Sequence, residues 1–347
     1  NKTVQGLADG CGWSFDFTLT PGATLVGGGS PTLAGSGSET VGPLTWEGLV
    51  PGEIYTISEV TQPGFTSVLS CSGIVADLDG DPENASVMFE AGYDQSYACT
   101  ATNTAIKPDL TVTKAVNGVD ADYEWTFEFE LDPAATGTNP DTISGTGNND
   151  GDSTVTWTSL MPGQEYTVSE TTDDDYDTVM VCMFGDQELD DLDQTEDGSV
   201  TFEAPLKTGE VDIVCDVVNT AKPNDLTLTK YVSGVDDALG WAFGFTLDPA
   251  TSEGSEQFAS GTGDGPNDAN LEWTGLVPGT EYTLTEGDHT GYTLDEFYCM
   301  VDGQRVDAVD GVVTFTAPFD DDILCAAVNE ADPSDLTLTK YVFGVDD

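Results

Sequence analysis

The sequence predicts an all-β protein made of tandem antiparallel sandwiches, and three internal regularities predict it. The first is a recurring segment: Asp225-Leu-Thr-Leu-Thr-Lys230 returns as Asp109-Leu-Thr-Val-Thr-Lys114 and as Asp335-Leu-Thr-Leu-Thr-Lys340, with a truncated copy at Asn1-Lys2-Thr3-Val4. The lysines are spaced by 112, 116 and 110 residues. The second is a tryptophan eleven residues after each of the first three lysines (Trp13, Trp125, Trp241), opening an alternation such as Trp241, Phe243, Phe245, Leu247. A period of two marks a half-buried strand. The third is a second set, Trp46, Trp157 and Trp273, each five residues before a Pro-Gly turn. All six tryptophans are therefore in register, and self-similarity at a fixed period defines a repeat array.

Each copy holds about seven strand-like runs separated by Gly, Pro, Asn and Asp clusters, and no helical period stands out. Seven short strands in roughly 110 residues argue for an Ig-like sandwich. The boundaries fall near Lys107-Pro108, Lys222-Pro223 and Asp332-Pro333, giving repeats at 1–106 (first strand truncated), 107–222 and 223–333. Residues 334–347 read as the first strand of a further repeat. The linkers are short, which favours an extended rod. The chain opens inside one first strand and closes just after another. The polypeptide is therefore expected to continue at both ends, or the last strand to serve a neighbour. The Leu336–Lys340 strand should then pair in a following sandwich, in the same polypeptide or in the next subunit.

Charge narrows the function. The 347 residues carry 64 acidic and eight basic side chains, a net charge of −56. Such a surface repels itself unless salt or divalent cations screen it. It suits high salt or calcium-rich surroundings, or is a solvated surface kept soluble by its charge. Nucleic acid is excluded as an expected partner, because phosphate binding needs Lys and Arg. No apolar run reaches the length of a membrane span. No secretory signal stands at Asn1 and no anchoring tail at Asp347, as in an excised or processed piece. The single histidine, His289, and the absence of a nucleophile–His–Asp arrangement or a phosphate loop argue against a metabolic enzyme.

Alternation also places three polar side chains on the apolar face of every complete repeat. Lys230 points with Leu226 and Leu228, as Lys114 does with Leu110 and Val112. Glu286 shares a face with Tyr282 and Leu284, as Glu170 does with Tyr166 and Val168, and Glu59 with Tyr55 and Ile57. In the last strand Asn329 follows Cys325 and Ala327, Asn219 follows Cys215 and Val217, and Asn103 follows Cys99 and Ala101. Burying a bare Lys and Glu together is unfavourable by several kcal/mol per ion before attraction offsets it. Two arrangements fit. One is an unreacted buried ion pair with Asn as a hydrogen-bonding neighbour. The other is covalent: desolvation makes the lysine a neutral nucleophile and keeps the glutamate protonated. Glutamate then shuttles protons while the amine attacks the Asn side-chain carbon and expels ammonia. The expected pairs are Lys2–Asn103, Lys114–Asn219 and Lys230–Asn329, promoted by Glu59, Glu170 and Glu286. Lys340 has no Glu or Asn of its own repeat.

These residues resemble those of CnaB-type (SpaA-like, prealbumin-like) domains of Gram-positive pilins and surface adhesins. In that family the promoting Glu follows a Leu-x-Pro-Gly-x-Tyr-x-x-x-Glu pattern. Here it reads Leu276-Val-Pro278-Gly279-Thr-Glu-Tyr282-Thr-Leu-Thr-Glu286, with one extra residue before the tyrosine. The family's following turn is similar to Gln62-Pro63-Gly64-Phe65, and is degraded to Asp173-Asp-Asp-Tyr176 and His289-Thr-Gly291-Tyr292. The resemblance implies a first-strand Lys joined to a last-strand Asn by an isopeptide bond, in an extracellular surface stalk, pilus or fibre. An adhesin module binding a host or surface ligand, and a calcium-dependent filament-forming matrix protein, are the alternatives. The near-uniformity of the three copies favours the stalk.

The cysteines follow the same register. Cys71, Cys182 and Cys299 lie 12 or 13 residues after the Glu, and Cys99, Cys215 and Cys325 lie four before the Asn. The simplest pairing is within each repeat, Cys71–Cys99, Cys182–Cys215 and Cys299–Cys325, which implies an oxidising, extracellular setting. Metal binding by these cysteines lacks a Cys-x-x-Cys. Cys11 is left over, as a buried free thiol or an inter-subunit link. No cofactor is expected except calcium. Asp77, Asp79 and Asp81 resemble the opening of a calcium loop, as do Asp150 and Asp152, although neither has the downstream bidentate Glu. Both are read as solvated turns, with calcium binding as the alternative. Asn84-Ala-Ser86 is a glycosylation sequon.

Overall fold

The computed structural model describes residues 1–78, 85–151, 154–171, 173–189, 198–252, 254–266, 270–319 and 321–341, the side chain of Asp150 excepted. Among these residues there are thirty strands, some only two residues long, and no helix. The strands fall where the period of two places them. Glu124–Asp132 alternates buried and exposed along its whole length, with Trp125, Phe127, Phe129 and Leu131 inside and the acidic residues outside. That division explains how so acidic a chain folds: apart from one buried glutamate in each unit, the carboxylates of such strands face outward, and apolar side chains fill the inward half.

Three separate cores result, spanning Val4 to Ala105, Leu110 to Ala221 and Leu226 to Ala327. Each lies between two sheets. In the second unit one sheet holds Leu110–Asn117, Ile213–Ala221 and Tyr176–Phe184. The facing sheet holds Asp141–Thr146, Glu124–Asp132, Glu165–Glu170 and Ser199–Glu203. The first and third units repeat this order. The pairing is antiparallel everywhere except between the first and last strand of each unit, which run parallel: Lys2–Gln5 with Ala98–Ala105, Leu110–Asn117 with Ile213–Ala221, and Asn224–Ser233 with Ile323–Ala331. A parallel neighbour requires a crossover, and here the whole sandwich is the crossover.

The first tryptophan of each unit has a local reason for its register. Its indole Nε1 donates to the carbonyl of Gly37, Gly147 or Gly263. Its ring lies over the glycine opposite on the neighbouring strand. A Cβ at Gly145 or Gly261 would stand 2.4 Å from the ring of Trp125 or Trp241, so only glycine fits there.

The units meet through a repeated joint. The turn after the first strand of one unit docks on the Pro-Gly turn of the next. Ala8 N donates to Pro162 O at 3.0 Å, and the equivalent Asp120 N donates to Pro278 O at 3.0 Å. In the second joint Thr280 Oγ1 also donates to Asp120 Oδ2 at 3.1 Å, and Phe319 packs on Tyr123 and Tyr176 with centroids 5.1 and 5.5 Å apart. Leu206 takes the place of Phe319 in the first joint, against the core of the first unit.

Leu336–Lys340 departs from the expected strand. No described residue from 334 to 341 is in a strand, and Leu336 and Leu338 are 95% and 90% exposed. The equivalent segments Leu110–Asn117 and Asn224–Ser233 lie between the last strand and the strand of the second tryptophan of their own sandwich. Among the described residues no strand pairs with 336–340.

Candidate functional site

The parallel pair of first and last strands sets the site. Lys2, Lys114 and Lys230 stand opposite Ala101, Val217 and Ala327, two residues before the Asn on the neighbouring strand. In a parallel ladder such a pair shares one face of the sheet, so amine and amide both point into the core. The glutamate reaches in from the facing sheet, opposite Phe17, Phe129 or Phe245. Each unit therefore closes Lys, Glu and Asn from three strands of two sheets around one buried point.

All three lysine side chains are fully buried, and the glutamate side chains are 1%, 1% and 4% exposed. In the first unit Lys2 Nζ lies 3.0 and 3.2 Å from the two oxygens of Glu59 and donates to Asn103 Oδ1. Asn103 Nδ2 donates to Glu59 Oε1 at 2.6 Å and to Ser67 Oγ at 3.0 Å. In the second unit Glu170 bridges the other two residues: Oε2 accepts from Lys114 Nζ at 2.7 Å, and Oε1 from Asn219 Nδ2 at 2.6 Å. Asn219 Oδ1 is buried without a donor. In the third unit Lys230 Nζ donates to Asn329 Oδ1 at 2.5 Å and to the carbonyls of Tyr231 and Ala327 at 3.1 and 3.4 Å, with Glu286 Oε1 at 3.7 Å.

Burial dominates the protonation of these groups. It lowers the amines of Lys114 and Lys230 from 10.5 to about 8, against the opposing pull of Glu170 and Glu286. Lys2 is lowered for the same reason. Burial also raises the carboxyls of Glu170 and Glu286, against the opposing pull of the lysines. In the second and third units amine and acid are driven toward their neutral forms together, the state in which the amine is a nucleophile and the acid a proton donor.

One contributor has no polar signature in the sequence. Each lysine amine sits over an aromatic ring, Phe15, Phe127 or Phe243, at 4.0, 4.4 and 4.5 Å from the centroid. This phenylalanine is always two residues after the first tryptophan, and that repeated spacing is the signal that could have found it. The ring covers one side of the amine with apolar surface.

The cysteines also meet. Cys71–Cys99, Cys182–Cys215 and Cys299–Cys325 are disulfides between directly opposed residues of the last strand and its antiparallel neighbour. The last strand is thus held by sulfur on one side and faces the lysine strand on the other. Cys11 is a free thiol at the first joint, where a side chain on Gly163 would meet its Cβ at 2.8 Å. Asp77 Oδ1 accepts from Met88 N at 3.1 Å. Asp79, Asp81, Asn84 and Asp152 lie outside the described residues, as does the side chain of Asp150. Among the described residues no group of three or more His, Cys, Asp and Glu could hold a metal ion. Lys340 is exposed.

No family model matches the chain, and no curated protein does. Among solved structures it is similar to the major pilin from Streptococcus pyogenes, at 19% identity over 66% of this chain and 100% of that one, with a TM-score of 0.31. It is also similar to the Bacillus anthracis TIE protein, at 14% identity over 93% of this chain and 52% of that one, TM-score 0.38. A third is a Mobiluncus mulieris adhesin containing intramolecular disulfide, isopeptide and ester bond cross-links, at 12% identity over 65% of this chain and 100% of that one, TM-score 0.27.

Proposed function

We propose that this chain is a run of CnaB-like structural repeats from an extracellular stalk, pilus or fibre, with units divided near residues 106, 222 and 333. Its one chemical act is a single-turnover reaction in each unit. The observation that carries the reading is the same buried Lys–Glu–Asn cluster, formed three times between the parallel first and last strands. The neutral lysine amine attacks Cγ of the asparagine, and the protonated glutamate, which in the first two units lies against the amide nitrogen, delivers a proton to that nitrogen as it leaves. The tetrahedral adduct loses its amino group as ammonia, carrying the amine's proton by way of the carboxyl, and glutamate is regenerated. A C–N bond to lysine replaces the C–N bond to ammonia, and the product amide bears no charge. The unfavourable burial of two ions is removed.

The placement of this bond suits load. The first strand enters and the last strand leaves at opposite ends of a parallel pair, so tension along the chain runs through both. A Lys–Asn bond carries that tension across and leaves the intervening sandwich outside the load path. Lys2 and Asn103 are 101 residues apart, and Lys230 and Asn329 are 99. Each bond therefore hides roughly 350 Å of extended chain at ~3.5 Å per residue. Single-molecule pulling on the chain is expected to show no extension steps of that size. Three steps of roughly 350 Å would exclude the load-carrying role.

A further inference from the structure

The joints between units reach the buried lysines through stacked side chains. In the second unit Lys114 Nζ lies 4.4 Å from the centroid of Phe127, and Phe127 meets Tyr176 edge to face at 5.3 Å. Tyr176 is buried and packs on Phe319 of the third unit at 5.5 Å. Rings in contact thus connect the amine of one unit with a loop of the next. The first unit repeats the arrangement. Lys2 Nζ lies 4.0 Å from Phe15, and Phe15 meets Phe65 edge to face at 5.2 Å. A Cβ on Gly64, beside Phe65, would stand 2.5 Å from Leu206 of the second unit. Leu206 and Phe319 hold the same place in their repeats, after Ala204-Pro205 and Ala317-Pro318.

The element they touch is the turn that follows the promoting glutamate. Phe65 stands six residues after Glu59, and Tyr176 six after Glu170. The linker rests on the same turn: Ile106 N donates to Gly64 O at 2.8 Å, and Lys222 N to Asp175 O at 3.0 Å. The loop that carries Phe319 is fixed by a buried polar residue outside the reacting cluster. Asn224, 2% exposed, donates from Nδ2 to Pro318 O and accepts at Oδ1 from Asp321 N at 3.1 Å. Beside Leu206, Lys207 N donates to Ile106 O at 3.2 Å, and Lys207 Nζ pairs with Asp212 at 2.8 Å. In the third unit the cover comes from within: His289 lies 4.7 Å from Phe243 and 5.0 Å from Tyr292.

We propose that the cross-links of the first and second units are promoted by the unit that follows each, with Leu206 and Phe319 as positioning residues. The proposal rests on the isopeptide reading above. Phe319 holds Tyr176, and through it Phe127, against Lys114, while Leu206 does the same for Phe65, Phe15 and Lys2. Interiors are close-packed, so removing the outermost side chain loosens those beneath it. Burial is what makes the amine neutral, so a looser cover leaves less of it reactive and fixes it less well. Covalent closure of these two units therefore trails the folding of the next.

The test follows bond formation in the full chain, made by cell-free synthesis under oxidising conditions. Samples are quenched at intervals, reduced and digested, and the share of each Lys–Asn linked peptide is measured. Phe319→Ser is expected to slow the Lys114–Asn219 bond about tenfold, leaving Lys2–Asn103 and Lys230–Asn329 unchanged. Leu206→Ser should slow Lys2–Asn103 alone. Phe319→Leu, which installs the side chain found in the first joint, should restore the rate. Unaltered rates in both serine variants would overturn the proposal. So would equal slowing of all three bonds, which marks a general folding defect, or slowing that Phe319→Leu does not relieve. An unsubstituted chain that forms no linked peptide would overturn the isopeptide reading itself, and the proposal with it.

Discussion

Asn219→Ala is expected to lower the stability of the second sandwich by about 4–5 kcal/mol, the chain-entropy value for closing a loop of roughly 100 residues. This substitution removes the electrophile and leaves Lys114 paired with Glu170. Glu170→Ala should lower stability further, because it prevents the reaction and also leaves a buried amine without its acid, an arrangement unfavourable by about 3–5 kcal/mol. Against a typical domain stability of about 5–15 kcal/mol, the second variant stands near unfolding. Limited proteolysis and chemical denaturation would rank the two variants below the unsubstituted chain in that order. A pH series identifies the free amine in Asn219→Ala. Folded Lys114 titrates near 8 and its unfolded counterpart near 10.5. Between those values the unfolded state holds more protons, so stability should rise with pH across that window. An amide does not titrate, so the cross-linked chain should lack this rise. Equal stability of all three proteins, or a rise in all three, would contradict the cross-link.

Reducing the disulfides should lower stability by about 3–4 kcal/mol per unit, for closed loops of 26 to 33 residues. The sandwiches should nonetheless stay folded, because the last strand remains tied to the first. Reduction of the Asn219→Ala chain is a different case. It frees the last strand of the second unit on both sides, and that unit is expected to unfold while the first and third persist. Denaturation monitored by proteolytic fragments reads the difference. If reduction unfolds the unsubstituted chain as readily as the variant, sulfur alone holds the last strand.

The inward direction of Lys114, Glu170 and Asn219 was legible in the sequence, because a strand's period of two assigns each residue to a face and three copies in one chain repeat the assignment. The cysteine pairs were legible for the same reason. What the alternation could not supply was the direction in which the first and last strands pair. That Leu110–Asn117 runs parallel to Ile213–Ala221 depends on the closure of the whole sandwich, and no local pattern encodes it. The phenylalanine under each amine looked like an ordinary core residue, since an aromatic on an apolar face has no chemical mark of its own. The joints were invisible too: Ala8, Asp120, Pro162 and Pro278 are bland turn residues until the neighbouring unit is set beside them. Leu336–Lys340 shows the opposite limit. Its strand sequence is as strong as that of Leu226–Lys230, yet no described strand pairs with it.

The most direct measurement is the intact mass of the chain after complete reduction of its disulfides. Three Lys–Asn isopeptide bonds predict a mass below that of the sequence by three ammonias, with fragments showing Lys2 joined to Asn103, Lys114 to Asn219 and Lys230 to Asn329. A mass equal to that of the sequence would show that lysine, glutamate and asparagine lie together in each core as an unreacted ion pair, and would contradict the account.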